Sequence, residues 1–241
     1  MVEKTSAIVL HQLKYTDSGI IVQVYSMKYG RFSIMVKGIR NKKSGKHNVH
    51  FQPLSILDLV LYYKESRGIQ TLKEFSVLYS TDDIQGNLRK SCMAIFIGEV
   101  LSSVLREESP HEELFEYLRD SIIYFNECHD RFLNFHIAFL TGLSSYLGFE
   151  PGRKKGDEDS VFDMINGSFV QLPPVHGNYA SQEISEILAS FFEASWYQME
   201  NIPLSGSQRN EVLETLLKYY SLHLPGLKKI NSLEVLKEVF R

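Results

Sequence analysis

Residues 37–50 read Lys37-Gly38-Ile39-Arg40-Asn41-Lys42-Lys43-Ser44-Gly45-Lys46-His47-Asn48-Val49-His50, with five Lys+Arg and no carboxylate. The glycines and asparagines argue against a helix, so the run reads as a loop with its cations in solvent. Cations held along a loop neutralise phosphates and release counterions. Four rings, Tyr15, Tyr25, Tyr29 and Phe51, share the same N-terminal part, and flat rings stack on unpaired bases. Cations and rings together suit a single-stranded polyanion; a solvated loop beside core aromatics is the plain alternative. Lys37, Arg40, Lys42, Lys43 and Lys46 are the expected phosphate contacts, with Lys14, Lys28 and Arg31 as additions. Tyr15 and Phe51 are the expected stacking rings.

Charge supports this division of labour. The chain's net charge is -3. Residues 1–80 nevertheless hold 12 Lys+Arg against 5 Asp+Glu, and the remainder holds 14 against 24. A basic N-terminal part suited to a polyanion is joined to an acidic remainder.

Catalytic signatures are missing. There is no Gly-x-Ser-x-Gly, no Gly-x-Gly-x-x-Gly and no His-Glu-x-x-His. Gly45-Lys46 imitates a phosphate loop, but the glycine interval is wrong and His47 stands where Ser or Thr binds magnesium. The pairs Asp82/Asp83, Glu107/Glu108 and Glu112/Glu113 fall at helix boundaries, where they complement helix dipoles. Neither Cys92 nor Cys128 has a partner at ligand spacing, so no metal site is expected.

The elements that must carry these residues come next. At 241 residues, 44% hydrophobic and 23% charged, the chain has material for a core in one or two domains. No apolar run approaches the roughly 20 residues that span a bilayer. The start Met1-Val2-Glu3-Lys4 lacks a signal-peptide layout, and two cysteines make no disulfide framework. A reduced cytoplasmic setting is expected.

Residues 5–13, 20–28 and 32–37 are rich in β-branched and apolar types or alternate with period two, and further strands fall near 54–63 and 69–79. Five strands without a helical period predict a small barrel or sandwich over residues 1–80. Helical spacing follows in 81–241: Ala94 to Leu105, Leu114 to Phe125, Phe132 to Leu147 closed by Gly148, Ile184 to Trp196, Val212 to Tyr220, and 232–240. Within 150–180, Asn166-Gly167 between alternating segments predicts a two-residue hairpin.

A family resemblance rests on named segments. Leu13-Lys14-Tyr15-Thr16-Asp17-Ser18-Gly19-Ile20-Ile21-Val22-Gln23-Val24-Tyr25-Ser26, then Tyr29-Gly30 and Lys37-Gly38-Ile39-Arg40, resemble the N-terminus of the bacterial recombination mediator RecO family. Phe51-Gln52-Pro53-Leu54, Phe135 to Leu140 leading to Tyr146-Leu147-Gly148-Phe149-Glu150-Pro151, and Tyr220 to Leu224 with Lys229 to Leu236 agree in order and spacing.

The resemblance implies an α+β chain: an N-terminal five-stranded OB-fold barrel, then a mainly α-helical C-terminal domain with a small β-hairpin insertion. It implies no catalytic turnover. It implies binding of single- and double-stranded DNA, annealing of complementary strands and, with RecR, help for RecA in replacing single-strand-binding protein, in the cytoplasm at the nucleoid. Many members carry a four-cysteine zinc site after the Gly-Phe-x-Pro exit. Here Gly152-Arg153-Lys154-Lys155-Gly156-Asp157 has no cysteine and none follows, so zinc is not expected and Phe162, Phe169 and Val170 must hold the hairpin. Members also recognise the acidic, apolar C-terminal tail of single-strand-binding protein. The candidate cations for it are Arg119 and Arg131 beside Phe115, Phe132 and Phe135, against the reading that both pair with Asp120, Glu127 or Asp130. The rival functions are a non-catalytic protein-interaction scaffold and an RNA-binding OB module.

Overall fold

The computed structural model describes residues 2–16, 19–37, 48–105, 110–154, 156, 161–194, 196–199 and 201–240. Five strands, β1 (Val2–Thr16), β2 (Gly19–Ser26), β3 (Gly30–Lys37), β4 (Ile56–Tyr62) and β5 (Ile69–Tyr79), close a barrel in the order β1-β2-β3-β5-β4. Every pairing is antiparallel except β3 with β5. Ala7, Val9, Val22, Val24, Ile34, Leu57, Leu59 and Leu61 alternate along their strands into one interior. That is the burial a period-two pattern prescribes.

β1 departs from simple alternation because both of its faces are covered between Ala7 and Leu10. The outer face there, with Ile8 and Leu10, is buried, and helix α2 (Leu88–Val104) packs on β1. Contact is close at Gly98, where a Cβ would lie 2.4 Å from the Leu10 carbonyl oxygen. Glycine is what lets this helix touch the strand.

Two compact units result. The first spans Met1–Glu127 with Ile230–Val239, the second Cys128–Lys229 with Phe240–Arg241. The barrel thus forms one unit with α1 (Asp82–Gly86), α2, α3 (Glu112–Glu127) and α8 (Ser232–Val239). Residue 80 marks the change from strand to helix, whereas the compact units divide after Glu127. Asn87 caps α2, accepting from the backbone N–H groups of Arg89 and Lys90. The Lys90 side chain is wholly buried, and its Nζ donates to Asp83 Oδ2 and, at 2.6 Å, to the Phe125 carbonyl. A buried ammonium is stable there because carboxylate and carbonyl share its protons.

The second unit holds α4 (Phe135–Tyr146), strands β6 (Val161–Asp163) and β7 (Ser168–Val170), α5 (Gln182–Glu193), α6 (Trp196–Met199) and α7 (Gly206–His223). Gly148 follows α4 at φ 84°, as a C-terminal glycine should. Two expectations are corrected. The helix through Ile184 stops at Glu193, since Ala194 is extended, and Trp196 starts a separate turn of helix. The β6–β7 connection is a four-residue loop, with Asp163 paired to Ser168 and Asn166-Gly167 as its last two residues. Asp163 causes this by accepting from the N–H groups of Ile165 and Asn166 and from Asn166 Nδ2. No described helix is long and apolar enough to cross a membrane.

Candidate nucleic-acid interface

Helices cover only part of the barrel's outer surface. Beyond the stretch where α2 sits on Ile8 and Leu10, the register aligns Leu13, Ile21, Met35 and Thr71 in one row across β1, β2, β3 and β5. His11, Gln23, Ser33 and Ile69 form the neighbouring row. Leu13 is 57% and Ile69 40% exposed, His11 is exposed, and the others are half-buried. Strand alternation places Lys37 on the face of Met35, opposite Gly19. Lys14, Tyr15 and Lys37, all exposed, gather at the end of this sheet where β1 turns into β2. The result is a shallow apolar and hydrogen-bonding strip with cations and one open ring at one end. Such a strip offers its side chains to base faces and its cations to phosphates.

Other expected residues go elsewhere. Arg40, Lys42, Lys43 and Lys46 lie outside the described residues. Lys28 and Arg31 stand at the opposite end of β3 from Lys37, about 20 Å away at roughly 3.3 Å per residue. The Lys28 ammonium lies 3.8 Å from the Glu3 carboxylate. Arg31 is corrected: its Nη1 donates to the Ser102 carbonyl at 2.9 Å, tying β3 to α2. Phe51 is also corrected, because it is fully buried in the barrel core with its centroid 4.8 Å from that of Phe75. It has no face to give a base. Tyr25 is buried and stacked with Phe115 at 6.5 Å. Tyr29 stacks with Tyr63 at 3.9 Å, and burial together with Glu3, which accepts its hydrogen bond, pushes its hydroxyl up to about 12. Of the four rings, Tyr15 alone is 60% exposed.

The arginines expected to meet a peptide tail have partners already. Arg119 Nε donates to Asp120 Oδ1 at 2.8 Å, which raises its pKa, and Arg131 Nη1 donates to Asn201 Oδ1 at 3.0 Å. Phe115, Phe132 and Phe135, named beside these arginines, are buried.

Sequence reasoning missed the row through Leu13, Ile21 and Met35. Its signal was present in the second phase of alternation along β2 and β3, but apolar residues on both phases hid which face was outer. Among the described residues no three His, Cys, Asp or Glu are grouped to hold a metal ion. Titratable groups in the interior are dispersed and structurally engaged. Burial, then the nearby Arg209 charge, lower His136 to about 3, so it is neutral. Asp163 is satisfied within its own loop.

Residues 1–81 match the family model described as Recombination protein O N terminal, and residues 85–234 match Recombination protein O C terminal. The chain is 36% identical over 240 residues to the DNA repair protein RecO of Phocaeicola vulgatus, covering all of both chains. It is 34% identical over 241 residues to that of Bacteroides fragilis and 30% over 244 residues to that of Porphyromonas gingivalis, again with complete coverage of each.

Proposed function

We propose that this chain, which belongs to the RecO family of DNA repair proteins, works without catalytic turnover as a DNA-binding mediator. Its barrel holds single-stranded DNA along the Leu13–Ile21–Met35 row. Tyr15 stacks on a base, and Lys14, Lys37, Arg40, Lys42, Lys43 and Lys46 neutralise phosphates. The observation that carries this reading is the strip left uncovered beyond α2, where strands 2 and 3 present the face by which OB barrels take up oligonucleotides. Apolar side chains exposed along the strip suit the faces of unpaired bases, which a duplex keeps stacked on one another. Holding bases splayed on one face leaves their pairing edges available, which is what annealing of complementary strands requires. In the same reading the chain acts with RecR to help RecA replace single-strand-binding protein, whose tail meets cations such as Arg119 and Arg131 on the helical part.

The test is fluorescence anisotropy of a labelled oligodeoxynucleotide with Leu13→Glu and Met35→Glu. Each replaces a contact on the strip with a carboxylate, and affinity should fall by the equivalent of about 1–3 kcal/mol, the scale of one stacked base. Undiminished binding by both variants would remove the strip. Equal affinity for the matching RNA would favour the RNA-binding reading.

A further inference from the structure

β5 is an edge for most of its length. It pairs with β4 from Thr71 to Tyr79, but with β3 only from Ile69 to Thr71. Among the described residues no strand pairs with its second edge from Leu72 to Tyr79. Open edges present unused N–H and C=O groups, and proteins usually blunt them with charge. Here Lys73 lies 3.5 Å from Glu74, so the two mid-edge charges largely cancel. Bulges at Lys73 and Leu78 leave Glu74 to Val77 as the regular stretch of this edge, and Val77 and Leu78 are 43% and 48% exposed.

A cleft of about 280 Å³ opens beside this edge, lined among others by Val49, Leu57, Val77, Tyr79 and Asp82. It lies at the lower end of the roughly 300–1,000 Å³ of ligand clefts and has room for an anchoring side chain. Its strand wall is apolar. Its rim is acidic, with Asp82 exposed and Glu127 accepting from the Tyr79 hydroxyl at 2.8 Å.

We propose that the second edge of β5, with the Val49–Val77–Asp82 cleft, is a strand-addition site for an extended segment of a protein partner that alternates apolar and cationic residues. Main-chain hydrogen bonds to β5 supply affinity, and one apolar side chain in the cleft sets the register. A Lys or Arg of the segment meets Asp82 at the rim. Charge complementarity fixes this occupant, since the rim carboxylates repel an acidic strand. The inference stands on residues other than those of the DNA strip and survives or fails separately from it.

A fluorescein-labelled decapeptide of alternating Lys and Val, added to the full chain and followed by anisotropy, is the test. The wild type should bind it, Val77→Lys should weaken binding by about tenfold or more, and Asp82→Asn should weaken it less. A decapeptide with proline at alternate positions, unable to form the ladder, should not bind, and neither should a Glu-Val decapeptide. Circular dichroism melting verifies that Val77→Lys remains folded, and Leu78→Lys is the substitute if it does not. Equal binding of the proline peptide or of the Glu-Val peptide would overturn the proposal. So would unchanged binding by both edge variants. Self-association in sedimentation velocity that Val77→Lys abolishes would also overturn it, by assigning the edge to a second copy.

Discussion

The Glu99 carboxylate caps a helix that starts more than a hundred residues later, at Ser232. Oε2 accepts from the Ser232 N–H at 2.8 Å and from its hydroxyl at 2.5 Å, while Oε1 accepts from Asn231 N and Nδ2 at 2.9 and 3.2 Å. α2 thereby supplies the N-terminal cap that α8 requires, and Leu236 is buried beyond it. This is how residues 230–239 rejoin the barrel's unit.

Burial alone would push the Glu99 pKa up, but the four hydrogen bonds together outweigh it and hold the pKa below the usual glutamate value. A depressed folded pKa means stability present above the unfolded value, about 4.3, and lost as pH falls through the folded one. Amide exchange of α8 should therefore quicken as pH drops below that unfolded value and through the lower folded one, after correction for the intrinsic rate. Glu99→Ala should quicken it already at neutral pH. Protection that is insensitive to the substitution would show that the cap does not hold the helix.

Gly167 and Gly148 separate two kinds of glycine requirement. Both have positive φ, 61° and 84°. A Cβ on Gly167 would lie 2.7 Å from the Tyr219 hydroxyl, which donates to the Phe149 carbonyl at 2.7 Å, whereas nothing lies within 4 Å of one on Gly148. Gly148→Ala should cost only the left-handed penalty, about 1–2 kcal/mol. Gly167→Ala should cost more, and Tyr219→Phe in the same chain should recover part of the excess. Urea unfolding of the single and double variants measures the coupling; an additive cycle would exclude the clash.

Much of this fold was legible from residue types. β-branched and apolar runs, alternating with period two in 32–37, placed the five strands because the barrel interior takes apolar side chains from each, and Gly148 marked a helix end by its own chemistry. Phe51 and Arg31 were misread because stacking rings and core rings have the same composition, and a cation bonded to a carbonyl looks like one awaiting phosphate. Asp163 stayed invisible since one aspartate in a turn signals nothing until its acceptor geometry is known. The return of residues 230–239 to the first unit rests on contacts between residues distant in sequence, such as Glu99 with Ser232, which no local pattern encodes.

The β6–β7 loop should need no metal. Asp163 accepts three hydrogen bonds from its own loop, and His176 Nε2 lies 3.2 Å from it. Elemental analysis of the purified protein should find no stoichiometric zinc, and chelator should leave its melting unchanged. Asp163→Ala should destabilise by about 1–3 kcal/mol through the unsatisfied N–H groups it leaves. One zinc per chain would overturn this account of the loop.

Charge reversal distinguishes the two proposed tail cations. Arg131 is bonded to the neutral Asn201 and keeps its charge uncompensated by that partner, while Arg119 is held by Asp120. Arg131→Glu should weaken binding of a labelled tail peptide of single-strand-binding protein more than Arg119→Glu does. Binding to naked DNA should remain intact. Wild-type peptide affinity in both variants would remove these arginines from the site.

The central claim, that basic residues of the N-terminal part neutralise phosphates of single-stranded DNA, is tested most directly by the salt dependence of binding. Affinity of the wild type and of Lys42→Ala/Lys43→Ala/Lys46→Ala for one oligodeoxynucleotide would be measured across a salt series. Three lost phosphate contacts at about 0.7 each should reduce the slope of log K against log salt by about 2, with weaker binding at low salt. An unchanged slope with unchanged affinity would contradict the claim.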